Sequence, residues 1–491
     1  MIQYFLPEIT ILAGILVVLI LEIVLGRKGF LATLVSLLFL LVAGFFALRD
    51  LSLISPDYYK GLGAFINEHQ NLVYIIKSLR LGVVERFMDT IMIVGTIYFV
   101  LLSYDYFRSR ASGDYQFLTL SALLGGMLLI KSNNWPTLLL SLEILSFSLY
   151  ALVAFRKDLF SYEAAGKYFF LGALSTAFLT MGIAFLYLAY GTIDFGTTFQ
   201  RIYTLAQAGF PREVIILSSI ALAFIIVGFG FKLSAVPFHF WTPDVFEGAP
   251  TPTAGFVSTV SKTAAIGLVF AIFQGLLVNY PALWKGLILW LSVITMLVGN
   301  IAALRENSVK KLLAFSTIAN AGYVLAVVYA GGLEAVKAAI VFMLVYTITT
   351  FGAFAVLQIT SEGNTHIENL RGLFQRKPDL AFALAALMVS LAGIPPFAGF
   401  FAKFFLAFSM VQMNHPLLAI WLFFNGAISA YYYLRVVYYA FQRDDSEKEL
   451  PSSRIPYAVA VVSAVLVLLM GLFPDAYTSF VDKVFGAFFG L

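Results

Sequence analysis

The sequence predicts an all-α integral membrane protein with about fourteen transmembrane helices. Of its 491 residues, 61% are hydrophobic and only 12% are charged. Soluble domains average roughly 45 to 50% apolar and about 25% charged residues. The chain also contains repeated apolar runs of about 20 residues, the length that a helix needs to cross a hydrocarbon core about 30 Å thick. Two of these runs contain prolines well inside the run, which predicts discontinuous helices within the membrane.

Fourteen apolar runs, bounded by charged residues, Pro or Gly, are candidate transmembrane helices. They cover residues 9–25, 30–48, 87–107, 115–130, 135–155, 163–190, 214–241, 253–273, 283–304, 309–330, 333–360, 380–410, 416–441 and 457–473. No basic segment precedes the first run, so we expect a retained helix instead of a cleaved signal peptide.

The segment 50–86 is the longest polar connection between runs. Its residues Tyr58, Phe65, Leu72 and Leu79 recur at seven-residue steps, which permits either an interfacial helix or an ordinary loop. The same two alternatives apply to the tail 475–491. Lys and Arg are more numerous in the connections that follow odd-numbered runs, and the positive-inside rule then predicts that both termini lie outside.

Several function classes are excluded by composition. The chain has no Cys and only four His, so cysteine-ligated zinc, iron–sulfur clusters and disulfides are ruled out. The histidines are scattered without metal-ligand spacing, which predicts no metal or haem site in this chain. No basic run is interleaved with aromatic residues, so no nucleic acid partner is expected.

Charged residues inside the apolar runs are the clearest functional signal. Such residues cost roughly 2.5 to 3.5 kcal/mol each on insertion scales, and they usually face a polar interior that conducts ions or protons. The candidate basic residues within runs, together with the clearest acidic partner, are Lys167, Lys232, Lys262, Lys337, Lys403, Arg435 and Glu143.

Depth within each run separates these residues. Lys262 lies roughly 13 Å along its helix, near the midplane, and Glu143 lies about 10 Å inside. Lys167 and Lys337 are close to helix starts, where the long side chain can reach the interface instead. Arg435 is close to a helix end and keeps its proton, so we interpret it as structural.

Proton transfer suits lysine, because burial and neighbouring charge can bring its pKa towards the working pH. A carboxylate beside a lysine holds the proton there, and separation of the pair releases it. Glu143 is therefore a candidate modulator of either Lys232 or Lys167. His239 is equally well interpreted as a proton relay or as a structural hydrogen-bond donor at a helix break.

Prolines interrupt the seventh and twelfth runs. Pro237 lies near Lys232, and Pro395 with Pro396 lies near Lys403. Proline removes a backbone donor and clashes with the preceding turn. The sequence therefore predicts two discontinuous helices, each with a nearby lysine, as in ion-coupled transporters. The alternative is that the breaks only permit close packing.

The two breaks also suggest an internal repeat. If helices 4–8 and 9–13 form two units, each break falls in the fourth helix of its unit. Five helices per unit is an odd number, so the second unit is inverted relative to the first. The expected domains are 1–110 with helices 1–3, 111–275 with the first repeat, 276–442 with the inverted second repeat, and 443–491 with helix 14 and the tail.

Two motifs, at residues 231–253 and 261–265, are specific enough to compare with known families. Residues 231–253 read Phe-Lys-Leu-Ser-Ala-Val-Pro-Phe-His-Phe-Trp-Thr-Pro-Asp-Val-Phe-Glu-Gly-Ala-Pro-Thr-Pro-Thr, and Ser261-Lys262-Thr263-Ala264-Ala265 follows. This stretch resembles the signature of the antiporter-like membrane subunits of respiratory complex I, bacterial NADH:quinone oxidoreductase. The Trp-Thr-Pro-Asp-Val form, the opening Leu6-Pro7-Glu8 and Lys167-Tyr168-Phe169 are similar to the subunit N branch. The sister subunits L and M usually carry Trp-Leu-Pro-Ala-His.

The resemblance implies a function and specific residues. Glu143, Lys232, Lys262 and Lys403 match the proton channel of the family, and Lys167 and His239 match secondary positions. Quinone reduction elsewhere in the complex would drive proton transfer through this chain in the bacterial inner membrane. NADH, FMN, iron–sulfur clusters and quinone are expected in other subunits, with no cofactor here.

The implied partners are the lipid bilayer, the antiporter-like subunit M and the small membrane subunits. One alternative is an Mrp-type cation/proton antiporter subunit, although acidic side chains usually supply sodium ligands and the buried groups here are mostly lysines. A third interpretation is that the chain is a purely structural scaffold, but this leaves the buried basic residues unexplained.

Overall fold

The protein is helical throughout the part that the computed structural model describes, which comprises residues 5–25, 29–53, 79, 82–107, 113–360, 365–444, 450–451 and 453–489. Within these residues, β structure is limited to isolated bridges. Thirteen helical spans among these residues are long and apolar enough to cross a membrane. Two shorter apolar helices make up a further, interrupted crossing. The predicted all-α class and the approximate number of crossings are confirmed.

The helices are numbered here in chain order. They are α1 (Leu6–Leu25), α2 (Gly29–Leu53), α3 (Val83–Tyr106), α4 (Gly113–Lys131), α5 (Trp135–Ala154), α6 (Leu159–Tyr190), α7 (Phe195–Ala208), α8 (Arg212–Leu233), α9 (Trp241–Gly248), α10 (Thr251–Ser258), α11 (Val260–Phe270), α12 (Pro281–Ala303), α13 (Val309–Ala330), α14 (Leu333–Thr360), α15 (Leu373–Arg376), α16 (Pro378–Ala392), α17 (Ala398–Gln412), α18 (Pro416–Phe441), α19 (Arg454–Leu472) and α20 (Pro474–Phe489).

Side-chain caps begin several of these helices. Asn134 accepts a hydrogen bond from the Thr137 amide at the start of α5. Asp194 and Ser308 cap α7 and α13 in the same way. Each cap satisfies a backbone N–H that has no partner inside the helix. The boundaries of these helices are therefore determined locally by the sequence.

The helices differ in how much of their surface faces outward. On α1, α2, α6 and α18, the exposed side chains include many large hydrophobic residues, as expected for helices that face lipid. By contrast, almost every residue of α10, α11, α13 and α14 is buried. α14 packs against α3, α16 and α19, so it joins the N-terminal helices to the C-terminal half.

The two predicted breaks are confirmed. In the seventh run α8 ends at Leu233, and α9 begins only at Trp241, the last residue of the run; the twelfth run is divided into α16 and α17. The eighth run is also interrupted, which the sequence did not reveal. α10 and α11 meet at Thr259, and a π-helical turn, Ala271–Leu276, follows α11. Lys262 therefore lies close to a local disturbance of its own helix.

Among the described residues, three of the numbered helices lie entirely outside the predicted crossings: α7, the single turn α15, and α20. α7 is only 14 residues long and occupies the connection between the sixth and seventh runs. α20 shows that the tail forms a helix, and its Phe485 stacks on Phe87 of α3. The possible interfacial helix at 50–86 lies mostly outside the described residues.

A buried charge cluster joins the first four crossings. Arg86 lies 3.1 Å from carboxylate oxygens of Glu8, Asp50 and Asp89, and Lys131 pairs with Glu8 and Asp89. Arg86 and Lys131 were expected in polar connections, and that expectation is wrong. Both lie just inside a helix, where packing of α1, α3 and α4 excludes solvent.

Candidate functional site

The first part of the candidate site is the gap between α8 and α9. In a continuous helix, the Lys232 carbonyl would accept a hydrogen bond from the amide of Val236. Here the Val236 amide donates to Thr295 Oγ1 at 3.0 Å instead. Ser234 adopts a left-handed conformation with φ of 62°, and Pro237 has no N–H to donate. The break therefore leaves the Lys232 carbonyl available to another donor.

Lys262 of α11 supplies that donor. Its ammonium donates to the Lys232 carbonyl at 2.8 Å and to Ser234 Oγ at 2.5 Å. Thr242 of α9 donates to the same Ser234 hydroxyl at 2.6 Å. Only 3% of the Lys262 surface is exposed. The most deeply buried predicted lysine is thus held by backbone and hydroxyl oxygens, at the centre of the break.

Lys232 points towards α5. Its ammonium donates to Ser146 Oγ at 3.0 Å, and Ser146 lies one helical turn after Glu143. The Glu143 carboxylate interacts electrostatically with Lys232, although no ion pair within 4.0 Å joins them among the described residues. Of the two partners considered for Glu143, the structure therefore brings Lys232 near to it.

Glu143 itself is only partly buried. It shares one face of α5 with Leu140 and Phe147, which are 64% and 56% exposed. A carboxylate in the middle of a transmembrane helix is costly when it faces lipid. This face is consequently a candidate contact surface for another membrane subunit.

Lys167 has a different environment. Its ammonium lies 2.8 Å from carboxylate oxygens of both Glu163 and Asp244, and its side chain is 44% exposed. These residues line a cavity of about 370 Å³ that also includes Glu247 and Lys311. Lys167 thus belongs to a polar cavity at the start of α6, and not to the buried cluster around Lys262.

Asp158 lies beside this cavity, in the connection before α6. Although burial opposes ionisation, hydrogen bonds from Arg156 and from the Ser161 amide lower the pKa of its carboxyl. The same carboxylate caps α6. Asp158 therefore remains charged at neutral pH and helps to fix this end of the helix.

His239 lies within the α8–α9 gap. Its side chain is buried, and its ring contacts that of Phe240 at a centroid distance of 4.4 Å. No hydrogen bond joins it to Lys232 or Lys262 in the described part of the chain. Among the described residues, the structure therefore does not connect His239 directly to either lysine.

Lys403, on α17, reaches the second break with its side chain. In a continuous helix, the carbonyls of Leu391 and Ala392 would accept from residues 395 and 396. Both of those residues are prolines and have no N–H. The Lys403 ammonium instead donates to the two carbonyls, at 2.7 Å and 3.1 Å. Pro395 and Pro396 therefore create the site that Lys403 occupies.

The two breaks share one structural arrangement. In each, a buried ammonium sits at the C-terminal end of a half-helix, where free carbonyls and the helix dipole favour positive charge. They differ in their surroundings, because Glu143 and Lys232 accompany Lys262, whereas the described hydrogen-bond partners of Lys403 are neutral backbone carbonyls. The hydroxyls of Ser146, Ser234 and Thr242 were not predicted. Nothing in the sequence distinguishes them from the other serines and threonines of the runs.

No metal site accompanies this arrangement among the described residues, where no group of three or more His, Asp or Glu side chains is placed to hold an ion. The distinguishing chemistry of the site is a set of buried amines on helix breaks. Such an arrangement can bind, hold and exchange protons.

Comparisons with known proteins agree with this geometry. A family described as "NADH:quinone oxidoreductase/Mrp antiporter, TM" matches residues 132–429. The chain belongs to this family of membrane subunits.

Among its relatives, subunit N of NADH-quinone oxidoreductase recurs. The protein of that name from Nitrosomonas europaea is 36% identical over 96% of this chain and 95% of its own. The one from Thiobacillus denitrificans is 33% identical over 99% and 97%. The resemblance to the subunit N branch is confirmed.

Solved structures show the same fold. A chain of respiratory complex I from Thermus thermophilus, solved with bound aureothin, superposes with a TM-score of 0.78 at 29% identity, covering 96% of this chain and 98% of that one. A chain of the Mrp complex from Dietzia gives 0.81 at 18% identity, covering 99% and 97%. At that identity the second similarity concerns the fold alone.

Proposed function

We propose that this chain is the proton-translocating membrane subunit of a bacterial NADH:quinone oxidoreductase that corresponds to subunit N. Quinone reduction elsewhere in the complex drives proton transfer through it. The observation that carries this proposal is the Lys262 ammonium, which is buried at a helix break and bonded to a carbonyl and a hydroxyl. A lysine without a carboxylate partner can lose its proton and remain neutral in the same position.

The proposed path comprises Glu143, Lys232, Lys262 and Lys403. Lys232 and Lys262 are close enough for their positive charges to repel each other, while Glu143 attracts a proton to Lys232. Any movement that separates Glu143 from Lys232 weakens that attraction and favours proton transfer onward. Lys167 and His239 belong to a secondary part of the path.

The proposal also includes an internal repeat of the helices and an orientation of the chain in the membrane. Residues 111–275 and 276–442 form the two inverted repeats, preceded by the domain 1–110 and followed by 443–491. Both termini lie on the periplasmic side of the inner membrane. In that orientation, the polar cavity at Lys167 opens towards the cytoplasm, because α6 begins after a connection on that side.

The proposed partners are subunit M, the small membrane subunits and the surrounding lipid. The α5 face around Glu143 supports a protein neighbour, since lipid solvates a carboxylate poorly. NADH, FMN, iron–sulfur clusters and quinone belong to other subunits, and this chain contributes no redox centre of its own. Its part in the enzyme is electrostatic.

The test is Lys262→Ala in the assembled complex. We expect assembly to continue while NADH-driven proton pumping into reconstituted vesicles is abolished. Lys285→Ala is the matched control, because Lys285 lies near the start of α12 and outside the path. Normal pumping by an assembled Lys262→Ala complex would contradict the proposal.

The Mrp-type alternative rests on the shared family and fold. It requires exchange of sodium for protons. Sodium-gradient-driven proton flux in vesicles that contain only this chain would favour the antiporter, whereas co-purification with NADH:quinone reductase activity favours the complex I subunit.

A further inference from the structure

The main chain of α19 reaches the second break at Gly471, which is buried near the end of that helix. A Cβ atom at this position would lie 2.6 Å from the Phe397 carbonyl carbon and 2.7 Å from the Ala398 amide nitrogen, and it would also overlap the Pro396 carbonyl oxygen. Real Cβ atoms essentially never come within 3.0 Å of such atoms. These are main-chain atoms, so no side-chain rotation can relieve the overlap. Only glycine therefore permits this close approach of α19 to the break.

Other helices hold α19 in place. It packs against α3, α14, α16 and α17. Its Ser463 lies against Gly352 of α14, where an added Cβ would come within 2.6 Å of the serine Cβ, and the Ser463 hydroxyl donates to the Tyr98 hydroxyl of α3 at 3.4 Å. The break is the weaker side of the contact, because its two prolines have no N–H to donate. A methyl group added at Gly471 would therefore displace the break and not α19.

Ser390 joins the two half-helices at the break. The Gly399 amide, in the first turn of α17, donates to Ser390 Oγ of α16 at 3.1 Å. An N–H in a first turn has no partner inside its own helix, so Ser390 caps α17 from the other half-helix. A Cβ atom at Gly399 would lie 2.6 Å from the Ser390 carbonyl carbon. The two half-helices are thus in close main-chain contact at this point.

The position of Lys403 depends on these contacts. Lys403 lies five residues after Ala398, the first residue of α17, or roughly 7.5 Å along the helix. Its aliphatic chain passes over Gly393, where a Cβ atom would lie 2.8 Å from Lys403 Cδ. This close contact leaves little room for the side chain to adjust. A displacement of α17 relative to α16 therefore changes the distances from the ammonium to the carbonyls of Leu391 and Ala392.

We propose that Gly471 and Ser390 are positioning residues for Lys403. Gly471 allows α19 to fix the place of the break, and Ser390 fixes α17 against α16, so that the ammonium meets both carbonyls at hydrogen-bonding distance. Neither residue binds or transfers the proton. The inference rests on the proposed proton-translocating function, and it adds α19, a helix outside the two proposed repeats, to the elements on which that function depends.

The first break is supported in a comparable way. There the Val236 amide donates to Thr295 Oγ1 of α12, a helix of the proposed second repeat. Each break is thus held by a helix that follows its own proposed repeat in the chain. A movement of α12 or α19 would consequently be transmitted to the lysine at the break that it supports.

The experiment compares Gly471→Ala with Gly426→Ala in the assembled complex. Both variants add one methyl group to a glycine of a transmembrane helix, but a Cβ atom at Gly426 would meet no neighbouring helix within 4 Å in the described part of the chain. For Gly471→Ala we expect the protons pumped per NADH oxidised to fall at least about tenfold, because a misplacement of about 1 Å can cost about 100-fold in a step that depends on geometry. Gly426→Ala should pump normally. A merely structural role would lower the yield of the complex and leave this ratio unchanged.

Ser390→Ala is a second variant, which removes the cap without adding bulk and should therefore assemble even if Gly471→Ala does not. We expect a smaller fall in the same ratio. Ser103→Ala on α3 is its matched control, because the buried Ser103 hydroxyl donates to the Val100 carbonyl of its own helix. That control should pump normally.

A normal ratio in either assembled variant would overturn the assignment of that residue. If Gly471→Ala fails to assemble, the ratio of Ser390→Ala decides. If the assembled variants have a normal ratio while Lys262→Ala does not pump, this inference is wrong and the proposed function stands. If Lys262→Ala also pumps normally, the proposed function itself fails.

Discussion

Lys262 and Lys403 are both held by backbone carbonyls, and this choice of partner matters chemically. When a lysine that is paired with a carboxylate loses its proton, it leaves an uncompensated buried anion, which is costly. A lysine bonded to carbonyls leaves only neutral groups behind. Proton release from these two sites therefore creates no buried charge other than the one that moves.

Glu143 offers a test that separates charge from geometry. Glu143→Gln keeps the size and the hydrogen bonding but removes the attraction for a proton on Lys232. Pumping should fall strongly, by about tenfold or more for each 1.4 kcal/mol of lost interaction. Glu143→Asp keeps the charge and should retain a substantial fraction, since Coulomb coupling falls only as the inverse of distance.

The measurement is pumping and NADH:quinone activity of both variants at matched assembly. A Gln variant that outperforms the Asp variant would show that Glu143 has only a space-filling and hydrogen-bonding role. Lys232 would then lose its assignment as the partnered proton carrier.

Ser234 provides a second residue-scale prediction. Its hydroxyl accepts hydrogen bonds from Lys262 and Thr242, so it still has its own proton to donate. Both Ser234→Ala and Ser234→Gly should lower pumping, because each removes an acceptor from an ammonium, worth about 1.5 to 3 kcal/mol.

Thermal stability separates those two variants. Position 234 has a positive φ, which glycine adopts more readily than alanine. The glycine variant should therefore unfold at a higher temperature than the alanine variant, as followed by a thermal shift of the purified complex. Normal pumping by both would remove the hydroxyl from the path.

At this scale, the sequence predicted which charges lie in the crossings but not what binds them. Lys262 and Lys403 were identifiable because lysine in an apolar run is costly. Their actual partners are main-chain carbonyls, which every residue possesses, so no side-chain pattern could indicate them. Arg86 and Lys131 were missed because they lie near helix ends, where solvent exposure is the usual expectation.

At the scale of elements, the prolines of the second break are the most direct target. The double variant Pro395→Ala and Pro396→Ala restores the two N–H groups that Leu391 and Ala392 lack. Those carbonyls would then bond within the helix and no longer with Lys403. We expect assembly to be retained while pumping falls, as measured by proton uptake per NADH oxidised.

The control for this prediction is Pro378→Ala at the first turn of α16, where proline costs the helix no internal hydrogen bond. That variant should pump normally. Unchanged pumping by the double variant would show that the second break serves packing only.

The buried charge cluster of α1 to α4 gives a stability prediction. Lys131→Met leaves Asp89 without one cation that contacts it. Removing one member of a buried ion pair costs roughly 3 to 5 kcal/mol. We expect a lower yield and a lower unfolding temperature of the complex, and a partial recovery when Asp89→Leu is added. No recovery would mean that Lys131 acts mainly through Glu8.

The sequence was more informative about elements than about contacts. Proline positions predicted the α8–α9 and α16–α17 breaks, because a missing N–H acts locally. The disturbance at Thr259 and the following π-helical turn have no proline, so only tertiary packing around α11 accounts for them. α7 was missed because it is only 14 residues long and its apolar residues lie on one face of the helix, so it forms no continuous apolar run.

For the whole molecule, the absence of cysteine in the sequence makes a single introduced thiol unique in this chain. Phe147→Cys places that thiol on the exposed α5 face beside Glu143. We expect an apolar maleimide to label it in the isolated chain but at least about tenfold more slowly in the complex, because the proposed neighbouring subunit would cover this face.

Comparison of the same variant in both states supplies the internal control. Equal labelling in the isolated chain and in the complex would show that α5 faces lipid. The partner assigned to Glu143 would then have to lie within this chain.

The interrupted twelfth crossing has a consequence for biosynthesis. α16 and α17 contain 15 residues each, or about 22 Å, which is less than the roughly 30 Å of hydrocarbon to be crossed. Neither half can therefore be stable in the bilayer as an independent insertion unit. α16 packs against α14, which is synthesised earlier, and against α18 and α19, which are synthesised later. Stable integration of the segment that bears Lys403 must consequently wait until the last crossings have left the ribosome.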